Sequence, residues 1–311
     1  MLKVPMDVLS HFPVRKSAKQ KKAFREAVES YANDLGYRVT IESGSLGSRN
    51  VVIGDPNPAR YLVTAHYDTC ARLPFPNLIT PCNLVTFILY QILTVAVMFA
   101  FVLAVGTATY LITQDPQATY WTSLLSMYLF LILIMVGPAN KHNANDNTSG
   151  VVTLLEIARS LPNELRNKVC FVLFDLEEVG LVGSASYRSN HKKATNDQII
   201  LNLDCVGDGD ELVMFPTGRL KKDRAKMRQL IDVERSCNEK SLRVHQKGFS
   251  IYPSDQANFP YGVGIAAFHR AKGVGLYCSR IHTHRDTILE EANVNFLRTA
   301  IISVIAGDDH I

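Results

Sequence analysis

A long uncharged segment limits how this chain can fold more than any other feature. Between Arg72 and Lys141 the only charged residue is Asp115. Residues 84–113 form an apolar run that exceeds the ~20 residues a helix needs to cross a bilayer, and residues 120–137 form a second run near the lower end of the ~17–25 residue range. A short turn around Asp115 separates them. The sequence therefore predicts a hairpin of two transmembrane helices.

The residues that flank the hairpin predict its orientation. Aromatic side chains lie close to the turn, where a membrane-interface belt is expected; they are Tyr110, Tyr120 and Trp121. Positive charges lie at the base, which favours a cytoplasmic main body; they are Arg60, Arg72 and Lys141. We predict a two-helix membrane protein that contacts lipid through residues 84–137. The alternative is a hydrophobic lid, or an oligomer-forming hairpin, on a soluble protein.

The remainder of the chain predicts one discontinuous domain. Residues 1–81 and 138–311 would form it, with residues 82–137 inserted as the hairpin. The net charge of +4 and the absence of a binding motif argue against a nucleic-acid partner, so the basic runs Arg15–Arg25 and Arg219–Arg228 are interpreted as solvated helix faces. Six scattered cysteines without a CxxC pair predict free thiols in a reducing compartment. No feature supports an oligomer.

Acids and histidines follow the predicted strands of the domain. The apolar run Phe171–Phe174 leads to Glu177 and Glu178, and the strand over 60–65 leads to His66 and Asp68. A third strand, over 198–203, leads to Asp204. Helical patterns alternate with these strands, which predicts an α/β fold with a mixed, mostly parallel central sheet flanked by helices. Open sheets of this kind bind ligands at the carboxyl ends of their strands.

Such a concentration of carboxylates predicts a metal site. Asp146 precedes a predicted helix over 151–160, and His282 lies in a loop over 280–287, so both can reach the same edge. Several carboxylates in one crevice repel one another unless divalent cations compensate them. Imidazole and carboxylate ligands without cysteine favour catalytic zinc, and more than four ligands favour a two-metal site.

Six short motifs together resemble a known family. They are HYD, NDNTSG, EEVGLVGS, NLD, SDQANF and HTHRDT, in this order. The ordered set resembles the co-catalytic di-zinc aminopeptidases, a group that includes secreted bacterial leucyl aminopeptidases and glutamate-carboxypeptidase-like enzymes. The resemblance covers essentially all of the chain except the hairpin. It implies a zinc-peptidase-like fold, two Zn²⁺ ions per chain and peptide substrates.

The resemblance also implies a role for each of seven side chains. One zinc would be held by His66 and Asp204, the other by Glu178 and His282, and both by Asp146 as the bridge, while Asp68 would orient His66 and Glu177 would act as general base towards a metal-bridging water. Family members often carry a Tyr directly before the histidine ligand, and here that position is Ile281. His284 stands where the family often has Pro, so the choice of His282 over His284 depends on the resemblance.

The leading hypothesis is a membrane-anchored di-zinc aminopeptidase that removes N-terminal residues from peptides. A second hypothesis keeps the metals but changes the substrate, as in a zinc carboxypeptidase, a dipeptidase or another amide hydrolase. A third hypothesis is a non-catalytic receptor or binding domain of the same fold. Retention of the ligand set and of Glu177 argues against a receptor or binding domain.

Overall fold

The fold is built on one mixed β-sheet. A computed structural model describes residues 2–73, 75–237 and 240–307. Its strands are β1 (Val39–Ser43), β2 (Arg49–Ile53), β3 (Tyr61–His66), β4 (Val169–Phe174), β5 (Ile199–Leu203), β6 (Glu211–Pro216), β7 (Arg235–Cys237), β8 (Lys240–Val244), β9 (Gly262–Ala271) and β10 (Gly275–Tyr277). They are ordered β1-β2-β4-β3-β5-β9-β6-β8-β7, and β10 pairs with β9. The four central strands, β4, β3, β5 and β9, run parallel, and antiparallel pairs lie on either side of them. The expected mixed α/β fold is confirmed.

The described helices cover both faces of the sheet, except for the two that form the predicted hairpin. They are α1 (Asp7–His11), α2 (Ala18–Asp34), α3 (Leu84–Thr113), α4 (Pro116–Val136), α5 (Gly150–Ser160), α6 (Val182–Asn190), α7 (Gly218–Lys222), α8 (Arg224–Ile231) and α9 (Glu291–Ala306). Phe171 and Leu173 of β4 face the larger core, which includes α5 and α9, whereas Val172 and Phe174 face a smaller core against Tyr187 of α6. Successive side chains point to opposite faces, so a strand buried on both sides is apolar throughout.

The basic run Arg15–Arg25 is only in part the solvated helix face that the sequence analysis predicts, because Lys19 and Lys22 of α2 are exposed whereas both arginines are buried. The α2 helix begins after Ser17, which forms a capping box with Gln20. Arg15 precedes this helix and is fully buried, and Arg25 is also buried. Their burial is tolerated because backbone oxygens and the hydroxyl of Tyr67 accept hydrogen bonds from these side chains. Helical periodicity in the sequence does not reveal partners that are distant along the chain.

A second correction concerns the region after β6. The charged pattern over 219–236 favours one amphipathic helix, but the structure divides it into α7, α8 and the short strand β7. Asp223 lies between the helices with an extended backbone conformation (φ −89°, ψ 98°). Its side chain accepts a hydrogen bond from Lys226 N at 3.1 Å, so Asp223 ends one helix and caps the next.

The predicted hairpin consists of α3 and α4. Asp115 caps α4 by accepting a hydrogen bond from Gln117 N at 2.8 Å, and Pro116 occupies the first turn, so α4 begins four residues before the predicted position 120. The helices pack closely where Gly106 faces Ser123. Both helices are long and apolar enough to cross a membrane. Within the most apolar 18-residue window of each, 0% of α3 and 11% of α4 is buried, unlike the helices of the core.

The two ends of the insertion lie side by side. Ala71 and Ala139 form an isolated antiparallel bridge, and Arg72 N donates a hydrogen bond to Pro138 O at 2.8 Å. The hairpin therefore leaves the domain and returns to it at one point, next to the loop that carries Asp146.

Candidate metal centre and active site

The predicted metal ligands meet at one edge of the sheet. His66 is the last residue of β3, and Asp204 directly follows β5, the parallel neighbour of β3. Glu177 and Glu178 follow β4, which pairs with β3 on its other side. Because these strands are parallel, their carboxyl ends place the side chains along a single edge, in agreement with the general position of ligand sites in α/β sheets.

Asp146, just before α5, occupies the centre of the cluster. Its Oδ1 lies 3.3 Å from His66 Nε2, and its Oδ2 lies 2.9 Å from His282 Nε2. His66 Nε2 is also 3.7 Å from Asp204 Oδ1, and His282 Nε2 is 3.6 Å from Glu178 Oε2. One carboxylate thus separates a His66 half, formed by His66 and Asp204, from a His282 half, formed by Glu178 and His282.

The two consecutive glutamates point to different halves. A carboxylate oxygen of Glu177 lies within 4.8 Å of the ligand atoms of His66 and Asp204, whereas Glu178 groups in the same way with Asp146 and His282. Burial raises the pKa of Glu177, and repulsion from the charge of Glu178 raises it further. Adjacent side chains of one type therefore occupy distinct environments.

Two further acids fix the loops that carry the ligands. Asp68 accepts backbone hydrogen bonds from Glu177 N at 3.1 Å and Glu178 N at 3.2 Å. Asp286 accepts them from Asn145 N at 2.7 Å and Asp146 N at 3.1 Å. Each clamp acid, as we term Asp68 and Asp286, holds two successive N–H groups of one ligand loop. The sequence places Asp286 only in the loop of His282 and does not reveal its hydrogen bonds.

Asp68 also lies beside the imidazole of His66. The Nδ1 atom of His66 is 3.2 Å from the backbone oxygen of Asp68 and 3.6 Å from its carboxylate Oδ1. Acceptors on this side favour the proton on Nδ1 and leave the Nε2 lone pair directed at the cluster.

The backbone is unusual at three of the ligand loops. Leu176, Cys205 and His282 have φ values of 57°, 56° and 59°, in the left-handed region that side chains larger than glycine rarely adopt. They lie next to Glu177, next to Asp204 and at the second imidazole itself. Conformations of this kind cost free energy and concentrate at functional sites.

The charges of the cluster suit bound cations. Burial, reinforced by the charge of Asp146, raises the pKa of Glu178 to about 8. Glu178 Oε1 is buried and has no hydrogen-bond partner in the described part of the chain. A buried carboxylate oxygen without a partner is costly, and coordination to a metal removes that cost. Nitrogen and oxygen donors in this arrangement fit zinc.

One cation of the chain itself lies behind the cluster. Arg15 Nε donates a hydrogen bond to Tyr67 O at 2.5 Å, and its Nη1 donates to Thr148 Oγ1 at 3.1 Å. Burial lowers the pKa of Arg15 to about 10, although Asp68 and Asp146 oppose the shift. The guanidinium remains charged at neutral pH and partly offsets the negative charge around it.

A cavity of about 290 Å³ opens beside the two halves of the cluster. Ile281 contributes to its wall, and Tyr252 lines the same cavity while its hydroxyl donates a hydrogen bond to Asp204 O at 3.0 Å. His284 is exposed and lines a separate groove beside Arg72. The structure therefore brings His282, not His284, to the cluster. Cys70, which the sequence analysis does not single out, groups with the His282 half, and burial raises the pKa of its thiol.

Fold and site together define an α/β protein with a candidate metal centre at the carboxyl ends of its parallel strands, and comparison with known proteins gives the family. A model of peptidase family M28 matches residues 133–303. The chain belongs to this family, and the identification made from the six motifs is confirmed at that level. Aminopeptidase YwaD of Bacillus subtilis is 40% identical over 67 residues, which are 21% of this chain but only 15% of that protein.

Solved structures support the same fold. Porphyromonas gingivalis glutaminyl cyclase superposes with a TM-score of 0.60 at 16% identity, over 96% of this chain and 93% of that one. A Zn-dependent exopeptidase from Parabacteroides distasonis gives 0.56 at 17% identity, over 94% and 92%. The LapA aminopeptidase of Legionella pneumophila gives 0.57 at 14% identity, over 97% and 70%.

Proposed function

We propose that the chain is a di-zinc aminopeptidase that removes N-terminal residues from peptides. The observation that carries this proposal is the position of Asp146, whose two oxygens face different imidazoles at 3.3 and 2.9 Å. A carboxylate placed in this way can bridge two metal ions, and each half of the cluster supplies one further carboxylate. Zinc, when bound, would lower the pKa of water to ~7 and polarise the scissile carbonyl.

Each residue then has a separate task. His66, Asp204, Glu178, His282 and Asp146 would hold the zinc ions. Glu177 also lies beside the His66 half, but His66, Asp204 and Asp146 already supply three ligands there, so Glu177 is free to act as a base. It would take a proton from water and return it to the leaving amine. The clamp acids would hold the loops of Asp146 and Glu178 in place through the hydrogen bonds that they accept from backbone N–H groups.

The test is to assay a panel of free and N-blocked peptides with wild-type protein and the Glu177→Gln variant. Wild type should release N-terminal residues from free peptides only, and a chelator should stop it. Glu177→Gln removes the proton acceptor at constant size, so turnover should fall by roughly 10²–10⁴-fold while zinc content stays unchanged. Glu164→Gln, at an exposed position, is the matched control. Full activity of Glu177→Gln would exclude it as the base.

A second candidate function follows from the glutaminyl cyclases among the similar structures. In such a reaction the α-amine of an N-terminal glutamine would attack its own side-chain amide and release ammonia. That reaction needs no water nucleophile. A cluster with two halves, each suited to a metal ion, is suited to activating water, and it therefore favours hydrolysis over cyclisation. A peptide with N-terminal glutamine separates the two functions, since cyclisation releases ammonia and leaves the peptide intact, whereas an aminopeptidase releases glutamine.

The peptide panel also separates an aminopeptidase from a carboxypeptidase, a dipeptidase and a binding domain. Cleavage of N-blocked peptides from the carboxyl end would indicate a carboxypeptidase, and activity restricted to two-residue substrates would indicate a dipeptidase. Zinc-loaded protein that turns over no amide would indicate a binding domain.

We further propose that α3 and α4 anchor the domain in a membrane, with the domain in the cytoplasm. Support comes from their length, their exposed apolar side chains and the positive charges at the base of the hairpin. A cysteine introduced at Gln117 should react with an impermeant maleimide added to intact cells. Labelling of this cysteine only after lysis would overturn the orientation.

A further inference from the structure

The cavity beside the metal centre has two different walls. One wall carries the ligands and Glu177. Another part of the lining, which we term the α3 wall, is formed by three side chains of α3, namely Phe87, Tyr90 and Gln91. Apart from the predicted ligands and Glu177, no described residue that lines the cavity is charged; the others include Leu78, Ile79 and Ile251. A helix of the apolar insertion therefore forms part of the cavity in which the proposed reaction would take place.

The unequal lengths of the two hairpin helices explain how α3 reaches the cavity. Thr122 Oγ1 donates a hydrogen bond to Thr109 Oγ1 at 3.0 Å, and the rings of Phe101 and Phe130 are 5.8 Å apart. Continued at this register, the end of α4 at Val136 lies beside a residue near position 94 of α3, so roughly ten residues of α3 extend beyond its partner helix.

The extra length also exceeds what a bilayer requires. The 30 residues of α3 span about 45 Å at 1.5 Å per residue, against a hydrocarbon core of about 30 Å. The 21 residues of α4 span about 32 Å, which is close to that thickness. The first turns of α3 can therefore lie at the protein surface while the remainder crosses the membrane.

Hydrogen bonds hold these first turns in place. Asn83, which caps α3, donates from Nδ2 to Val274 O at 3.0 Å. The Tyr90 hydroxyl donates to Pro76 O at 2.9 Å. Asn77 Nδ2 lies 3.5 Å from the carbonyl oxygen of Ile281, the residue before His282. Through Pro76, Asn77 and Ile281, these turns are thus fastened to loops that border the metal centre.

We propose that the first turns of α3 determine substrate specificity, with Phe87 and Gln91 selecting an uncharged, apolar side chain on the N-terminal residue. This inference rests on the aminopeptidase function proposed above. Phe87 supplies apolar contact area, and Gln91 supplies a polar but uncharged neighbour at the exposed edge of the α3 wall. An ionised substrate side chain would meet no opposite charge on this wall. The hairpin is accordingly a functional part of the pocket as well as an anchor.

The experiment compares kcat/KM for peptides that begin with Leu, Ala, Lys or Glu, using full-length protein in detergent. Phe87→Ala should lower kcat/KM for the Leu peptide by roughly ten-fold and change the Ala peptide much less, because only the larger side chain loses apolar contact. Leu89→Ala is the matched control, since Leu89 lies two residues away, is 59% exposed and does not line the cavity. It should leave the Leu-to-Ala ratio unchanged.

Charge substitutions at Gln91, which is exposed, give an independent readout. Gln91→Glu should raise kcat/KM for the Lys peptide relative to the Leu peptide by roughly three- to ten-fold, and Gln91→Lys should do the same for the Glu peptide. Wild-type selectivity in the Phe87 and Gln91 variants, with wild type active, would overturn the specificity role alone. Absence of aminopeptidase turnover in wild type would overturn the proposed function, and this inference with it.

Discussion

The two halves of the cluster around Asp146 are built differently. In the His66 half, the ligands extend from the adjacent parallel strands β3 and β5, and their side chains are only 1% and 9% exposed. In the His282 half, both ligands lie on loops, and the side chain of His282 is 26% exposed. The sheet therefore fixes one half, whereas the loops of the other are fixed by backbone N–H groups that donate hydrogen bonds to the clamp acids. The second half lies where a substrate can approach it.

The strongest test of this comparison removes what the halves share. Asp146→Ala eliminates the carboxylate that faces both imidazoles, so zinc content should fall from about two per chain to near zero and turnover should fall to background. Asp197→Ala, at an exposed position, is the control. Elemental analysis of the purified variants measures the effect. Retention of one zinc would mean that Asp146 serves only one half.

A smaller effect should distinguish the clamp acids. Asp286→Asn and Asp68→Asn each replace one acceptor oxygen with an amide NH₂ group. This donor then faces a backbone N–H, so one hydrogen bond to the ligand loop is lost. We expect a loss of roughly 10–100-fold in metal affinity, as is usual for groups that orient ligands. Asp286→Asn should weaken both zinc ions because it acts on Asp146. Asp68→Asn should weaken mainly the ion held by Glu178, because the backbone oxygen at position 68 still accepts from His66. Chelator titrations measure the two affinities, and equal effects on both ions in each variant would contradict this division.

The smallest expected effect concerns pH and the His282 half. Burial alone would lower the pKa of His282, but the charges of Glu178 and Asp146 raise it to about 9 in the metal-free protein. Burial and the charge of Asp146 also raise the pKa of Glu178, so the pair Glu178 and His282 holds at least one proton at pH 7, which must leave when zinc binds. Affinity should therefore increase from pH 7 to about pH 9. Calorimetry in buffers of different ionisation enthalpy should detect the released protons, and pH-independent binding would refute this assignment.

The sequence predicts the parts of this structure that depend on local pattern. The strands that lead to His66, Glu178 and Asp204 are visible in the sequence as short apolar runs followed by a histidine or an acid. A parallel sheet brings the carboxyl ends of such strands together. The helices α3 and α4 are visible for the same reason, because length and composition alone define them. The ordered motifs add the family to this local information.

The parts that the sequence does not reveal depend on distant partners. The hydrogen bonds of Asp286 reach a loop 140 residues earlier in the chain, and nothing near Asp286 in sequence indicates them. In the sequence Arg15 cannot be distinguished from a surface cation, because its hydrogen-bond partners Tyr67 and Thr148 are distant along the chain. The sequence does not reveal the helix break at Asp223, because an aspartate that caps a helix and an aspartate inside a helix look alike within a charged segment.

The paired ends of the insertion, at Ala71 and Ala139, explain how the domain can accommodate so long an insertion. A loop that starts and finishes at neighbouring residues can grow or shrink with little effect on the chain that encloses it, because the entropy of closing it rises only slowly with its length. Replacing the segment between Ala71 and Ala139 by a tight turn should keep the sheet and broaden the selectivity of the proposed peptidase activity, since one side of the pocket would be missing.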